Sequence, residues 1–146
     1  MNNDWGVASD LWSCPSFTEL GRDISRVQRH NLLNPTAKQQ KSHVEELLAK
    51  FAGPVIASTD YIRLFAEQIR PAIQQLGKRY TVLGTDGYGR SDTRENLRHF
   101  FEVDRYWVAV SALKALADEG LIEAKKVSEA IKKYGLDISK PNPMTV

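Results

Sequence analysis

Tyr80-Thr-Val-Leu-Gly84-Thr-Asp86-Gly87-Tyr-Gly89-Arg90-Ser91-Asp-Thr-Arg94-Glu-Asn-Leu-Arg-His99-Phe-Phe101 is the stretch whose reading decides the fold. A short apolar run, Tyr80 to Leu83, breaks into three closely spaced glycines, and the chain then restarts with helix-forming residues. Glycines are placed where backbone turns with positive φ or passes close to something. Asp92 and Glu95 have the reciprocal spacing of a capping box, so a helix capped at Ser91 or Asp92 is expected. The grammar is strand, loop, helix.

Upstream, Val55-Ile-Ala-Ser-Thr-Asp60 reads the same way, an apolar β-branched run of the kind buried on both faces of a sheet, closed by an aspartate. Val7 to Cys14 is a third strand candidate, stopped by Pro15, which has no N–H for a ladder. Between these runs the apolar residues recur at helical spacing. Ser16 with Glu19 opens a helix carrying Phe17, Leu20, Ile24 and Val27. Thr36 with Gln39 offers a cap for a second helix through Val44, Leu47, Leu48 and Phe51. Tyr61, Leu64, Phe65 and Ile69 mark the inner stripe of a third helix, kinked or restarted at Pro71. Asp104 caps an almost wholly apolar helix from Arg105 to about Glu119, which should pack centrally. A last helix, Glu123 to Tyr134, turns Val127, Ala130, Ile131 and Tyr134 inward and ends at Gly135. Residues 137–146 should form an irregular tail.

Strands interleaved with helices predict an α/β fold, a three-layer α/β/α sandwich around a mainly parallel sheet. The 146 residues suffice for one core, so 1–146 is expected to be a single domain. In such sheets ligands favour the crevice beyond the carboxyl ends of the strands, where Ser13, Asp60, Asp86 and the glycine loop should gather.

Composition narrows the chemistry. Twenty basic residues against eighteen acidic ones are interspersed rather than gathered in a stripe, so nucleic acid is not expected as a partner. Cys14 is the one cysteine, which gives neither a disulfide framework nor a cysteine metal site and fits a reducing, cytoplasmic setting. His30, His43 and His99 lack metal-ligand spacing. No apolar run approaches the roughly 20 residues of a membrane span, so no membrane association is expected.

The glycine loop fits neither common phosphate motif. It lacks the Gly-Lys-Ser/Thr ending of a P-loop, and its order Gly-x-x-Gly-x-Gly is not the dinucleotide fingerprint. Two roles remain for Gly84, Asp86, Gly87, Gly89, Arg90, Ser91, Arg94 and His99: an anion- or nucleotide-binding loop that uses the helix start, or an interface loop shaped by turn glycines. Asp60 and Asp86 read as caps rather than a carboxylate pair. Cys14 reads as a buried inert thiol and His99 as a helix-surface or interface residue, so no catalytic residue is expected.

Val82-Leu-Gly-Thr-Asp-Gly-Tyr-Gly-Arg-Ser-Asp-Thr-Arg-Glu-Asn-Leu-Arg-His-Phe-Phe-Glu-Val-Asp104 closely resembles the carboxyl-terminal end of the homodimeric type of pyruvate dehydrogenase. So do Asp4-Trp-Gly-Val-Ala-Ser-Asp-Leu-Trp-Ser, Ser16-Phe-Thr-Glu-Leu20, Ala57-Ser-Thr-Asp-Tyr61, Leu64-Phe-Ala-Glu-Gln68 and Lys140-Pro-Asn-Pro, and the likeness covers nearly the whole chain. It implies a transketolase-type carboxyl-terminal domain, one part of a much longer enzyme that decarboxylates pyruvate oxidatively and passes the acetyl group to lipoyl. In that family thiamine diphosphate and magnesium belong to the preceding domains. Gly84-Thr-Asp-Gly87 only mimics the start of their diphosphate motif, with no paired asparagines after it. The resemblance therefore implies no cofactor, metal or catalytic residue in this stretch. Its implied partners are the remaining domains, a second copy in a homodimer and the dihydrolipoyl acetyltransferase of the complex. The domain type is shared with other 2-oxoacid dehydrogenases and with transketolase, which differ in substrate.

Overall fold

The computed structural model describes all of residues 1–146 and runs α1 (Asn2–Trp5), α2 (Phe17–Leu33), α3 (His43–Leu48), β1 (Val55–Ser58), α4 (Arg63–Glu67), α5 (Arg70–Gln75), β2 (Tyr80–Leu83), α6 (Arg94–Phe100), α7 (Arg105–Asp118) and α8 (Ala124–Lys133). The two β-branched runs pair in parallel, Val55 opposite Tyr80 through Ser58 opposite Leu83. Their side chains alternate between faces. Ala57, Tyr80 and Val82 enter a core with Ile24, Val44, Ala66, Ile69, Ala72 and Ile73 from α2 to α5. The other face of the sheet meets α7, which packs on both strands. Behind it α7 and α8 close a second core of Val110, Leu113, Val127, Ala130 and Leu136. The expected α/β layering is therefore present, with the apolar α7 central.

Three expectations about the elements need correction. Val7 to Cys14 is not a strand: it runs without regular structure or a backbone hydrogen bond, because no neighbouring strand accepts it. The sheet accordingly has two strands rather than three. The second helix is capped by Ser42 and Glu45, whose side chains satisfy each other's backbone N–H groups. Gln39 instead bonds the Asn34 and Ala37 carbonyls at 3.2 and 3.1 Å, which holds the preceding turn. Finally, Tyr61, Leu64 and Phe65 do not form the inner stripe. They are 70%, 67% and 41% exposed, while Ala66, Ile69, Ala72 and Ile73 face the sheet. The short Ala66 lets the backbone approach β2 closely enough for the Tyr80 hydroxyl to donate to its carbonyl at 2.8 Å. Pro71 does restart the chain as a new helix, in whose first turn its missing N–H costs nothing.

Ser42 is fully buried, and its hydroxyl donates to the Glu45 carboxylate at 2.6 Å. Ser42→Ala should remove this cap and cost about 1 kcal/mol, read from the urea midpoint.

The amino end is tied to the carboxyl-terminal helix. Trp5 Nε1 donates to the Tyr134 hydroxyl at 2.7 Å, and Lys133 pairs with Asp4 at 2.5 Å.

Candidate functional site

The loop after β2 packs against the loop after β1 and against the carboxyl-terminal tail. At Gly84 a Cβ would fall 2.7 Å from the Arg63 nitrogen and 2.8 Å from the Tyr61 carbonyl oxygen, so only glycine allows the two loops to touch. Thr85 completes the contact: its N–H donates to the Tyr61 carbonyl and its hydroxyl to the Asp60 carbonyl, both at 2.9 Å. Asp86 then accepts the Arg63 N–H, the first of α4, at 3.2 Å and pairs with the Arg63 guanidinium. Gly87 has φ of 107°, and a Cβ there would meet the Pro143 carbonyl oxygen at 2.5 Å. Gly89 has open space around it and serves the turn alone.

Beyond the glycines the basic residues are already engaged or lie in solvent. The Arg90 guanidinium sits over the Phe100 ring at 4.8 Å. Ser91 and Arg94 are exposed. The cap of α6 is Thr93, not Ser91 or Asp92, since the Thr93 hydroxyl accepts the Asn96 N–H at 3.3 Å. Asp92 accepts from Thr93 N–H and the Asn96 amide, and is held below the ordinary carboxylate range chiefly by Asn96. Its interaction with these neighbours takes the place of the expected box with Glu95.

Asp60 receives a two-point contact from Arg98, at 3.0 and 2.6 Å. That hydrogen-bonded guanidinium holds the Asp60 carboxyl below its ordinary range, against the opposing effect of partial burial, with Arg94 adding to it. A carboxylate whose folded pKa is depressed contributes stability that is present above its unfolded value, near 3.9, and is lost as pH falls through the folded value. Arg98→Gln should thus lower stability slightly at pH 7, since solvent screens so exposed a pair, and flatten the loss between neutral pH and pH ~3. Thermal melts across that range read it out.

His99, in the last turn of α6, places Nδ1 2.9 Å from Asp104 Oδ2, while Asp104 Oδ1 accepts the N–H groups of Tyr106 and Trp107 and so caps α7. One carboxylate joins two helices. The same junction holds residues that the sequence reading passed over. Glu102 adopts the left-handed conformation, φ of 63°, and closes α6 with N–H bonds from Glu102 to His99 and from Val103 to Arg98. Lys140 donates to the Phe100 carbonyl at 2.5 Å and to Glu102 Oε1 at 3.0 Å. Its ammonium also lies 5.4 Å from the Phe100 ring centre and 5.3 Å from that of Trp107. The motif Lys140-Pro-Asn-Pro, noted only for its resemblance, was the available signal.

Arg63, Gly84, Asp86, Glu102, Asn142 and Met144 line a cavity of about 100 Å³. Ligand sites are typically about 300–1,000 Å³. A magnesium diphosphate does not fit these residues, because Asp86 is committed to Arg63 and the tail already fills the space beside Gly87. The geometry suits a shaped, rigid surface loop. Around it, Tyr61, Leu64 and Tyr88 form apolar surface, Tyr88 being 79% exposed. No helix is long and apolar enough to cross a membrane.

The transketolase-like TK C-terminal domain family matches residues 1–104. Curated relatives carry the name pyruvate dehydrogenase E1 component. That of Cupriavidus necator is 66% identical over 146 residues, which is 100% of this chain and 16% of the relative. That of Pseudomonas aeruginosa is 58% identical over 144 residues, 99% of this chain and 16% of the relative. That of Escherichia coli is 48% identical over 143 residues, 98% of this chain and 16% of the relative. The chain thus spans 16% of the length of these relatives.

Proposed function

The chain belongs to the transketolase-like TK C-terminal domain family, and from that premise we propose that it is the carboxyl-terminal domain of a pyruvate dehydrogenase E1 component. The observation that carries this reading is 66% identity along the whole chain to a protein so named. Residues 1–146 are then one domain, with 137–146 as its irregular tail, within a longer cytoplasmic enzyme. That enzyme decarboxylates pyruvate oxidatively and transfers the acetyl group to lipoyl on a dihydrolipoyl acetyltransferase. Thiamine diphosphate and magnesium are held by its other domains, and this domain takes no part in the chemistry.

Its role is packing, dimerisation and assembly. Two features support that role. The loop from Gly84 to Arg94 is fixed by backbone contacts and ion pairs, with Arg94 and Ser91 at its outer side. Leu11, Tyr61, Leu64 and Tyr88 leave apolar area for other domains to cover. Of the two roles open to the glycine loop, the geometry favours an interface with the remaining domains or a second copy.

The test compares the longer enzyme with and without residues 1–146. Removal should abolish the dimer, read by sedimentation, and pyruvate-dependent turnover with it, while the 146-residue chain alone gives no heat with thiamine diphosphate and magnesium at micromolar concentration. Retained dimer and turnover, or cofactor binding by the isolated chain, would overturn the assignment.

A further inference from the structure

Between Asp23 and Glu45 lie 21 residues without a carboxylate, and they hold Arg26, Arg29, Lys38 and Lys41. Arg26 pairs back to Asp23 at 2.5 Å, as Arg22 does to Glu19 one turn earlier. Beyond that point the pairing stops. Arg29, Lys38 and Lys41 are exposed and form no ion pair. Leu32 and Leu33 follow Arg29 by three and four residues, so they share its face of α2, and they are 77% and 58% exposed. A leucine in water is ordinary by itself. Here two of them stand beside unopposed positive charge.

The second observation is that this surface is held in shape. Asn31 Nδ2 donates to the Gln40 carbonyl at 2.9 Å and Asn31 Oδ1 accepts the Gln40 N–H at 2.8 Å, which ties the loop after α2 back onto the helix. Asn34 Nδ2 donates to the His30 carbonyl at 2.8 Å, and Gln39 reaches the carbonyls of Asn34 and Ala37. His43 N–H then closes the loop on Asp23 at 2.8 Å. Residues 32–41 are all exposed, so these bonds shape a surface and not a core. A surface fixed in advance loses little conformational freedom when something docks on it.

From these we infer that the end of α2 and the loop leading to α3 dock an acidic segment of a partner polypeptide that also carries apolar side chains. Its carboxylates pair with Arg29, Lys38 and Lys41, and its apolar side chains cover Leu32 and Leu33. A second copy of the chain does not suit the surface, because a two-fold contact there sets the same positive charges against each other. Nucleic acid matches the charge but binds chiefly through phosphates, which offer the leucines nothing. A bilayer takes a helix lying flat on its apolar face, whereas these leucines sit at a helix end beside a polar turn. The surface belongs to residues 24–44 alone. Its test rests on the reading of the chain as one domain of a longer enzyme.

Fluorescence anisotropy of a labelled synthetic peptide of glutamate and leucine, titrated with the longer enzyme, tests it. Binding should weaken with added salt and fall roughly tenfold when Arg29→Gln, Lys38→Gln and Lys41→Gln are combined. Lys38→Glu with Lys41→Glu should reverse the preference, rejecting that peptide and accepting one of lysine and leucine. Leu32→Ser with Leu33→Ser should weaken binding by a similar factor while its salt dependence stays. All these side chains are exposed, so melting temperature and pyruvate turnover should not move. Equal binding of the two peptides by the parent, or binding that survives the charge reversal, would overturn the inference. So would single-stranded RNA or phosphatidylserine vesicles that displace the peptide and lose their hold in the same variants, since the partner is then of another class. Resistance of Lys38 and Lys41 to a water-soluble acetylating reagent in the longer enzyme would also overturn it, because that enzyme's own domains then cover the surface. Removal of residues 1–146 scores the functional reading separately: a dimer that survives removal defeats that reading and leaves the surface standing, and a dimer that is lost while the parent ignores the peptide does the reverse.

Discussion

Ile73→Ala lowers the stability of the chain by about 2–5 kcal/mol, the largest effect expected of a single core substitution here. Ile73 is fully buried, and with Ile69 and Ala72 it forms the inner face where α5 presses on the sheet. Deleting three carbons loses their transfer free energy and leaves a cavity between Tyr80, Val82 and the helix. Ala66 and Ala72 are too small to relax into that space. Urea unfolding should show the midpoint fall with an unchanged slope, and Ile73→Val should retain most of the stability. A variant as stable as the parent would mean that α5 does not seat on the sheet as described.

Gly84→Val should cost about 3 kcal/mol by a different mechanism, overcrowding against backbone. The atoms a side chain would strike are the Arg63 nitrogen and the Tyr61 carbonyl oxygen, which cannot rotate away as a side chain would. Relief requires the loops after β1 and β2 to separate. That separation breaks the Thr85 bonds to Tyr61 and Asp60 and the Asp86 bond to Arg63 N–H. Gly89→Val, in open space two residues past Gly87, is the control and should be within about 0.5 kcal/mol of the parent. In the longer enzyme, Gly84→Val should also weaken the dimer, if the loop is the interface proposed for it.

What could be read ahead of the structure follows from which residues act locally. The caps at Ser16 and Asp104, the faces of α2 and α8 and the central place of the apolar α7 were legible because a capping side chain, an amphipathic stripe or an unbroken apolar run needs only its own helix. The β1–β2 pair was legible for a similar reason, since both runs are short, apolar and β-branched. Val7 to Cys14 was misplaced because a strand's existence depends on a neighbour, which local pattern does not report. The inner face of α4 was misread because Tyr61, Leu64 and Phe65 are large and apolar, whereas the sheet takes the small Ala66 that lets backbone approach. At the candidate site, the glycines were identified but their reasons were not. The atoms that require Gly84 and Gly87 lie at Tyr61, Arg63 and Pro143, far away in sequence. Lys140 and Glu102 were missed on the same ground, since a lysine closing a helix 40 residues earlier has no local signature.

The tie between the two ends also sets a schedule for synthesis. Trp5 and its hydrogen-bond partner Tyr134 are separated by 129 residues. At the usual 5–20 residues per second, a ribosome takes roughly 6–26 seconds to make Tyr134 after Trp5. During that interval α2 to α5 and the parallel pair can assemble on local contacts, while the first turn waits undocked beside an emerging, incomplete second core. Trp5 therefore docks last, once α8 arrives, and a ribosome stalled before Lys133 would display Trp5 and Val7 to chaperones and proteases.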